Sequence, residues 1–186
     1  MEHGGTVDDL VGAEQARDEL IRISYGFWDY LKNVWPTTAT TEQRRQVARR
    51  DLVSVPVYNA RREGRRVVGD YVLNQNDVEV GAEFCDAVSH GGWSIDIHHP
   101  EGIYSGMKGP FEYNAKAALY AVPYRCLYSR TVDNLFLAGR NISVSHVALG
   151  TVRVQATLAA AAEAVGVAAF LAARYDVSPR GVYREH

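Results

Sequence analysis

The 186-residue sequence lacks a strong net charge, a cysteine framework and a secretory leader. Its formal net charge of −2 excludes the basic surface with which proteins bind nucleic acid or anionic membranes. Cys85 and Cys126 form no C-x-x-C pair, so a disulfide framework is excluded and no metal site is predicted, although one bridge stays open. The start, "MEHGGTVDDL", has neither the basic residues nor the apolar core of a signal peptide. Free thiols would favour the cytoplasm.

A long run of bulky apolar residues is also missing. One segment, Val154 to Ala173, is about as long as the roughly 20 residues that a transmembrane helix needs. Alanine is a weak membrane residue, and Glu163 would lie near the middle of the bilayer, where a charge is costly. We therefore predict no membrane span.

The apolar pattern predicts a mixed helical and β region in the first two thirds of the chain. Residues 8–33 carry an apolar stripe at three- and four-residue steps, which predicts a helix. Residues 65–73 are β-like with Gly69 a candidate bulge, and Asp77 is expected to cap a short helix. Residues 86–109 are irregular and rich in Gly, His and aromatic residues, which is typical of a functional segment.

A strand–loop–helix unit is predicted in the last third. The apolar run 135–138 predicts a strand buried on both faces, ending at Gly139. In open α/β sheets ligands bind beyond the carboxyl ends of strands, so Arg140 and Asn141 would reach a ligand first. We predict that a helix then begins at Gly150 and runs to about residue 173, so that its free N–H groups favour an anionic group. A strand–loop–helix without a ligand is the alternative.

The segment "VDNLFLAGRNISVSHVALGTVRVQATLAAAAEAVGVAA" resembles the C-terminal flavin-binding segment of bacterial FAD-dependent oxidoreductases. More closely, it resembles the group related to the fumarate reductase and succinate dehydrogenase flavoproteins. That group has a block of the form AGR-x-IS-x-[ST]-H-x-ALG-[ST]-x-RV, which is complete here from Ala138 to Val154. The stretches "RRVVGDYVLNQNDV" and "GGWSIDIHHPEGIYS" also resemble the group, so the resemblance extends over nearly the whole chain.

The resemblance implies an α/β fold: an incomplete FAD/NAD(P)-binding, Rossmann-like domain with a mixed helical and β substrate-side region. Residues 1–120 would form the substrate side, residues 121–175 would complete the FAD-binding domain, and residues 176–186 would be a polar tail. Members of the group begin with a G-x-G-x-x-G unit, which this sequence does not contain. We therefore expect the C-terminal part of such an enzyme, or one subunit of a split enzyme completed by a second chain that carries this unit. A non-enzymatic remnant or interaction module that binds no flavin by itself is the alternative.

The resemblance also implies FAD as the cofactor and hydride transfer between a polar small-molecule substrate and flavin N5. The expected FAD contacts are the loop residues and the predicted helix start: Gly139, Arg140, Asn141, Ile142, Gly150, Thr151 and Val152. His146 is the candidate for proton transfer. Arg153 would anchor a substrate carboxylate or form a structural salt bridge to the missing domain. The candidate substrate-binding residues are His98, His99, Tyr104 and Arg66. Loop hydrogen bonds, aromatic packing and surface pairing are the alternatives for these side chains.

Overall fold

The computed structural model describes residues 3–8, 10–58, 61–108 and 111–185. The chain forms two compact units. Unit 1 consists of Met1–Arg62 and His98–Glu112, and unit 2 of Glu63–Ile97 and Tyr113–His186. The resemblance predicts a division of the chain near residue 120 into a substrate side and a cofactor side. That functional division is not the same as the division into two compact units, and it stays a prediction.

Unit 1 is built on the predicted N-terminal helix. Helix α1 spans Ala13–Asp29 and continues as a π-helical turn, Tyr30–Val34, and a 3-10 turn, Trp35–Thr37. Helix α2, Thr41–Ala48, begins with a capping box, in which the Thr40 hydroxyl accepts from the backbone of Gln43. Of the predicted apolar stripe only Ala16 and Ile23 are buried, whereas Phe27 is 46% exposed. Among its described residues, unit 1 therefore has a small interior.

The later part of unit 1 is a 3-10 segment, Gly102–Lys108, which is kinked at Gly106. Strands β2, Ile95–His98, and β3, Phe111–Ala115, pair in a two-stranded sheet, and the boundary between the units passes through both strands. The segment predicted to be irregular over residues 86–109 therefore contains regular structure.

Unit 2 contains a second two-stranded sheet and four helices among its described residues. Their bounds are α3 Gln75–Val80, β1 Ala87–Gly91, β4 Tyr120–Pro123, α4 His146–Val152, α5 Gln155–Tyr175 and α6 Pro179–Glu185, with a 3-10 turn at Tyr124–Cys126. Strands β1 and β4 are antiparallel, with Ser89 opposite Val122 and Gly91 opposite Tyr120. A Cβ at Gly91 would lie 2.3 Å from the Tyr120 hydroxyl, so the glycine makes room for this ring.

The core of unit 2 lies between this sheet and helices α3, α4 and α5. Its fully buried larger side chains are Leu73, Val78, Ile95, Tyr120, Val122, Leu127, Leu137, Ile142, Leu149 and Val152. Helix α5 is joined to β1 where the buried Ser89 hydroxyl donates to the Thr157 carbonyl at 3.0 Å. Burial of these apolar side chains is the main favourable term in the stability of the unit.

The polar tail predicted over residues 176–186 is wrong, because these residues include helix α6. Val182 is buried, and the Tyr124 hydroxyl donates to the Pro179 carbonyl at 2.9 Å. Arg180 forms two hydrogen bonds with Asp70, at 2.7 and 2.6 Å. The buried Pro179 and Val182, one hydrogen bond and one ion pair therefore hold helix α6 against the rest of unit 2.

The predicted strand over residues 135–138 is also wrong. Phe136 forms only an isolated antiparallel bridge with Tyr128, flanked by backbone hydrogen bonds between Leu135 and Ser129 and between Leu137 and Leu127. The Leu135 N–H instead donates to the Val132 carbonyl within the preceding turn. Leu137 is fully buried, but Leu135 is 38% exposed, so the run is not buried on both faces.

Two local predictions in residues 65–77 need correction. Asn74, rather than Asp77, caps α3, and Asp77 is the third helical residue of the capping box. Residues 65–73 form no regular strand. Gly69 is required for close approach rather than for a bulge, since a Cβ there would lie 2.4 Å from a backbone carbonyl oxygen.

The α/β content is confirmed, but the Rossmann-like sheet is not. Within the described ranges both sheets are two-stranded, and the parallel pairing outside them is a single bridge between Leu73 and Val144. Helix α5 is long and apolar enough to cross a bilayer, with a mean hydropathy of 1.8 over its most apolar window. Length and composition alone are a weak indication, because core helices of soluble proteins pass the same test. The absence of a membrane span stays a prediction.

Candidate functional site

The loop between Gly139 and His146 is fixed in its middle and exposed at both ends. Gly139 has a φ of +116°, which favours glycine, and its carbonyl accepts from the Ile142 N–H at 3.3 Å. The Leu73 N–H then donates to the Ser143 carbonyl at 3.1 Å, and the Ser145 N–H donates to the Leu73 carbonyl at 2.8 Å. Residues 142–144 are buried. The candidate residues at the two ends of the loop are therefore held by a rigid central stretch.

The four loop candidates for FAD contact differ in exposure. Arg140 and Asn141 are exposed, and the Asn141 carbonyl accepts from the Val67 N–H at 3.0 Å. Ile142 is fully buried, and its N–H is used within the turn. A Cβ at Gly139 would meet only the Asn141 side chain, at 3.8 Å. The accessible part of the loop is therefore Gly139–Asn141.

The predicted helix start at Gly150 is wrong. Helix α4 begins at His146, and the hydroxyl of Ser145 caps it by accepting from the Ala148 N–H at 3.3 Å. Gly150 lies inside this helix, at a position where another stretch of backbone approaches closely. A Cβ at this position would lie 3.1 Å from the backbone N and O of Asp96. The glycine is thus explained by packing rather than by a helix terminus.

Gly150, Thr151 and Val152 are all buried in the last turn of α4. The Thr151 hydroxyl donates to the Trp93 carbonyl and shares a hydrogen bond of 3.0 Å with the Tyr120 hydroxyl. Burial raises the pKa of Tyr120 to about 12, against a smaller lowering by this bond. N–H groups inside a helix bond within it, so the premise that these three residues offer free N–H groups fails.

Sequence reasoning missed Glu63, which connects two of the predicted site residues. His146 Nδ1 lies 2.8 Å from Glu63 Oε2 and 2.9 Å from Oε1. The guanidinium of Arg66 bonds the same carboxylate at Oε1. Glu63 lies 83 residues before His146 in a polar stretch, "RREGRR", without any periodic pattern. Only the folded chain brings the three side chains together.

Arg153 follows α4 and is bound within unit 2. Its Nη2 donates to the Asp96 backbone carbonyl at 2.9 Å and lies 3.3 Å from Asp96 Oδ2. The arginine side chain is largely buried. The partner of Arg153 is thus Asp96 of this chain and not a residue of a missing domain, and its role toward a substrate carboxylate stays a prediction.

Tyr104 is held by an ion pair on α1. Its hydroxyl donates to Glu19 and accepts from Arg22 Nη2 at 2.6 Å. Hydrogen bonds from Arg22, and then from Tyr104, lower the pKa of Glu19 to about 2, and the bond to Glu19 raises the pKa of Tyr104. Tyr104 is 51% exposed, so hydrogen bonds within unit 1, rather than aromatic packing in a core, hold its hydroxyl.

The adjacent histidines of unit 1 have separate partners. Both ring nitrogens of His98 lie 3.3 Å from Arg62 Nη1, and the ring meets Phe111 edge-on at 5.4 Å. His99 Nδ1 accepts from the Glu101 N–H at 3.2 Å. No group of three or more His, Cys, Asp or Glu residues that could hold a metal ion occurs in the part of the chain that the structure describes.

Comparison with known proteins identifies the class. The family model described as FAD dependent oxidoreductase matches residues 4–186. The chain therefore belongs to the FAD-dependent oxidoreductase family, whose cofactor is FAD. Searches of curated proteins and of solved structures found no match.

The described residues fit one part of an FAD site and not another. The turn Gly139–Asn141 has no side chain at its first position, and a Cβ there would meet only one atom, 3.8 Å away, which suits close approach of a ligand. Residues 150–152 offer no such surface, because they are buried and their backbone is helical. The surface that this segment leaves accessible therefore lies in the loop rather than at the end of α4.

Proposed function

We propose that this chain provides the substrate side and the exposed loop of an FAD-dependent oxidoreductase that transfers hydride between a polar small molecule and flavin N5. A single observation carries the proposal: one rigidly held loop presents the open turn Gly139–Asn141 at one end and the exposed side chain of His146 at the other. We further propose that a G-x-G-x-x-G unit, located either in a longer form of this chain or in a second chain, completes the FAD-binding domain. The 186 residues contain no such unit, and family membership alone does not supply it.

In this proposal the chain's own residues bind, orient and move a proton. FAD, when bound, supplies the two-electron chemistry. Gly139 would allow close approach to the backbone, and Arg140 and Asn141 would supply polar contacts to the cofactor. His146 would give or take the substrate proton. Gly150, Thr151 and Val152 drop out of the proposed contacts, because they are buried.

The substrate contacts are the less supported part of the proposal. His98, His99 and Tyr104 are retained as candidates because their segment resembles the family, although their observed contacts are within unit 1. Arg66 is bound to Glu63, so we propose for it an indirect role beside His146. We also place the protein in the cytoplasm, which its two free thiols support.

The second candidate is a remnant or interaction module that binds no flavin by itself. The burial of Gly150–Val152 favours this second candidate. These residues were expected to form a helix start with free N–H groups, but they lie buried in the last turn of α4. The two candidates differ in whether the chain enters a complex that contains flavin.

The test is to purify the chain with an affinity tag from its native cells and to record the visible spectrum. A yellow complex containing a second chain with G-x-G-x-x-G, identified by mass spectrometry, supports the split oxidoreductase. A colourless protein that stays colourless with added FAD contradicts it and supports the second candidate.

A matched pair of variants tests the loop itself. Gly139→Val should lower the flavin content of the complex about tenfold or more, which corresponds to roughly 1.4 kcal/mol. Gly106→Val is the control, since Gly106 also has positive φ and open surroundings but lies in unit 1. Equal flavin content in the two variants would contradict the proposed role of Gly139.

A further inference from the structure

We infer that Glu63 is the positioning residue for His146: it holds the imidazole with its proton on Nδ1 and leaves Nε2 as the atom that exchanges a proton with the substrate. The inference rests on the proposed function in so far as His146 transfers a proton there. The orientation and the tautomer are properties of this chain and can be measured without flavin.

The tautomer follows from the chemistry of the contact. Both oxygens of Glu63 lie within 2.9 Å of His146 Nδ1, and an ionised carboxylate only accepts hydrogen bonds. The nitrogen that faces it must therefore carry the proton. A neutral imidazole has one N–H, so Nε2 then holds a lone pair. Among the described residues Nε2 has no hydrogen-bond partner, and the histidine side chain is 57% exposed.

The carboxylate is itself held in place from its other side. The Arg66 guanidinium bonds Glu63 Oε1, and both side chains are partly buried, at 24% and 32% exposed. Arg66 balances the negative charge of Glu63 and restricts its rotamer. A glutamate in a fixed position in turn restricts the orientation of the His146 ring. The result is an ordered series in which an arginine fixes a carboxylate and the carboxylate fixes a histidine.

The backbone of His146 is fixed independently of its ring. The preceding residue, Ser145, caps α4, and its N–H donates to the Leu73 carbonyl at 2.8 Å. A side chain on so rigid a support needs one further contact to set the ring orientation, and Glu63 provides it. Exposed ion pairs contribute little to stability, so orientation is the main physical effect of this contact.

The pair of His90 and Glu83 in the same unit serves as a comparison. Their closest atoms are 3.9 Å apart, and both side chains are more than half exposed. At that distance no hydrogen bond fixes the ring. His90 therefore provides an internal reference for a histidine near a glutamate that does not orient it.

As a chemical consequence, His146 would exchange a proton through one defined nitrogen, Nε2. When Nε2 takes up a proton, the ring becomes an imidazolium whose Nδ1–H still faces the Glu63 carboxylate. When Nε2 gives the proton up, the ring returns to the starting tautomer without turning. Reorientation of the ring between the two steps is thereby avoided.

The experiment is nitrogen NMR of the chain labelled with 15N-histidine, at alkaline pH where the rings are neutral. Protonated and unprotonated ring nitrogens have separate shift ranges, so the spectrum reports the tautomer directly. We expect the Nδ1–H tautomer to dominate at His146 in the wild-type chain. In Glu63→Ala the Nε2–H tautomer should become populated, with both nitrogen shifts moving accordingly. Glu83→Ala is the control and should leave the His146 shifts unchanged.

A wild-type spectrum with the proton on Nε2 of His146 would overturn the inference, whether or not the variant folds. So would a Glu63→Ala spectrum in which the His146 shifts do not move. The outcome is separable from that of the flavin experiment. A colourless complex with an Nδ1–H histidine counts against the oxidoreductase proposal alone, and a yellow complex with an Nε2–H histidine counts against the role of Glu63 alone.

Discussion

Replacing Arg125 with methionine is expected to destabilise unit 2 by about 3–5 kcal/mol, because it leaves a buried carboxylate without its cation. Arg125 Nε and Nη2 donate to the two oxygens of Asp86, each at 2.9 Å, and the Arg125 N–H adds a third bond at 3.1 Å. The Asp86 side chain is only 7% exposed. The guanidinium also lies over the rings of Tyr71 and Tyr183, at 5.3 and 5.6 Å, and these contacts would be lost as well.

Urea unfolding followed by circular dichroism measures this effect as a change in the free energy of unfolding. Arg174→Met is the matched control, because Arg174 is exposed and contacts only the ring of Tyr175 among the described residues. It should change stability by less than about 0.5 kcal/mol. The double variant Asp86→Asn/Arg125→Met should be less destabilised than the sum of the single variants. An Arg125→Met variant as stable as the control, or an additive cycle, would refute the reasoning.

The same pair predicts a dependence of stability on pH. Burial raises the pKa of Asp86, but the hydrogen bonds from Arg125 outweigh it and leave the pKa below its ordinary value of 3.8. A carboxyl group with a lowered pKa contributes stability that is present above its unfolded pKa and is lost as the pH falls through its folded pKa. Asp86→Asn should therefore flatten the loss of stability below about pH 4. An unchanged slope between wild type and variant would contradict this.

Two further predictions concern other parts of unit 2. Arg180→Ala should lower the midpoint of thermal unfolding, because it removes two hydrogen bonds to the charged Asp70; an unchanged midpoint would argue against it. A thiol reagent should modify the exposed Cys85 in the native chain and spare Cys126, because burial raises the pKa of Cys126 to about 12. Both thiols should react in urea, and rapid modification of both in the native chain would count against the described packing.

Local patterns predicted the elements that depend on near neighbours in sequence. The three- and four-residue apolar spacing indicated α1, whose span Ala13–Asp29 lies within the predicted range. The long alanine-rich helix was also predicted, although α5 begins at Gln155 rather than at Gly150. In each case the signal and the structure it specifies lie within a few residues of each other.

The elements that sequence reasoning misplaced depend on distant contacts. A glycine at position 150 looks like a helix start, and only the approach of the Asp96 backbone explains it inside a helix. Ser145, with its capping hydroxyl, was the local signal that was overlooked. Residues 135–138 look like a strand with two neighbours, but pairing partners cannot be read from one segment.

The candidate site was predictable in part. Residue type and the resemblance of their segments to the family predicted His146 and Arg66 as separate candidates. The sequence did not predict that the two side chains lie close together. Glu63 had no sequence signal, because a glutamate among arginines is typical of any solvated segment. Its place beside His146 comes from the tertiary fold, which brings residues 83 positions apart into hydrogen-bond distance.

The approach of Gly150 to Asp96 couples the interior of α4 to an ion pair. Residue 96 supplies both the backbone against which Gly150 packs and the oxygens that bind Arg153. A methyl group added at position 150 would require the main chain of Asp96 to move by a few tenths of an ångström, which would also shift the oxygens that Arg153 binds. A substitution at this glycine would therefore act on the Arg153 contact as well as on the packing of the helix.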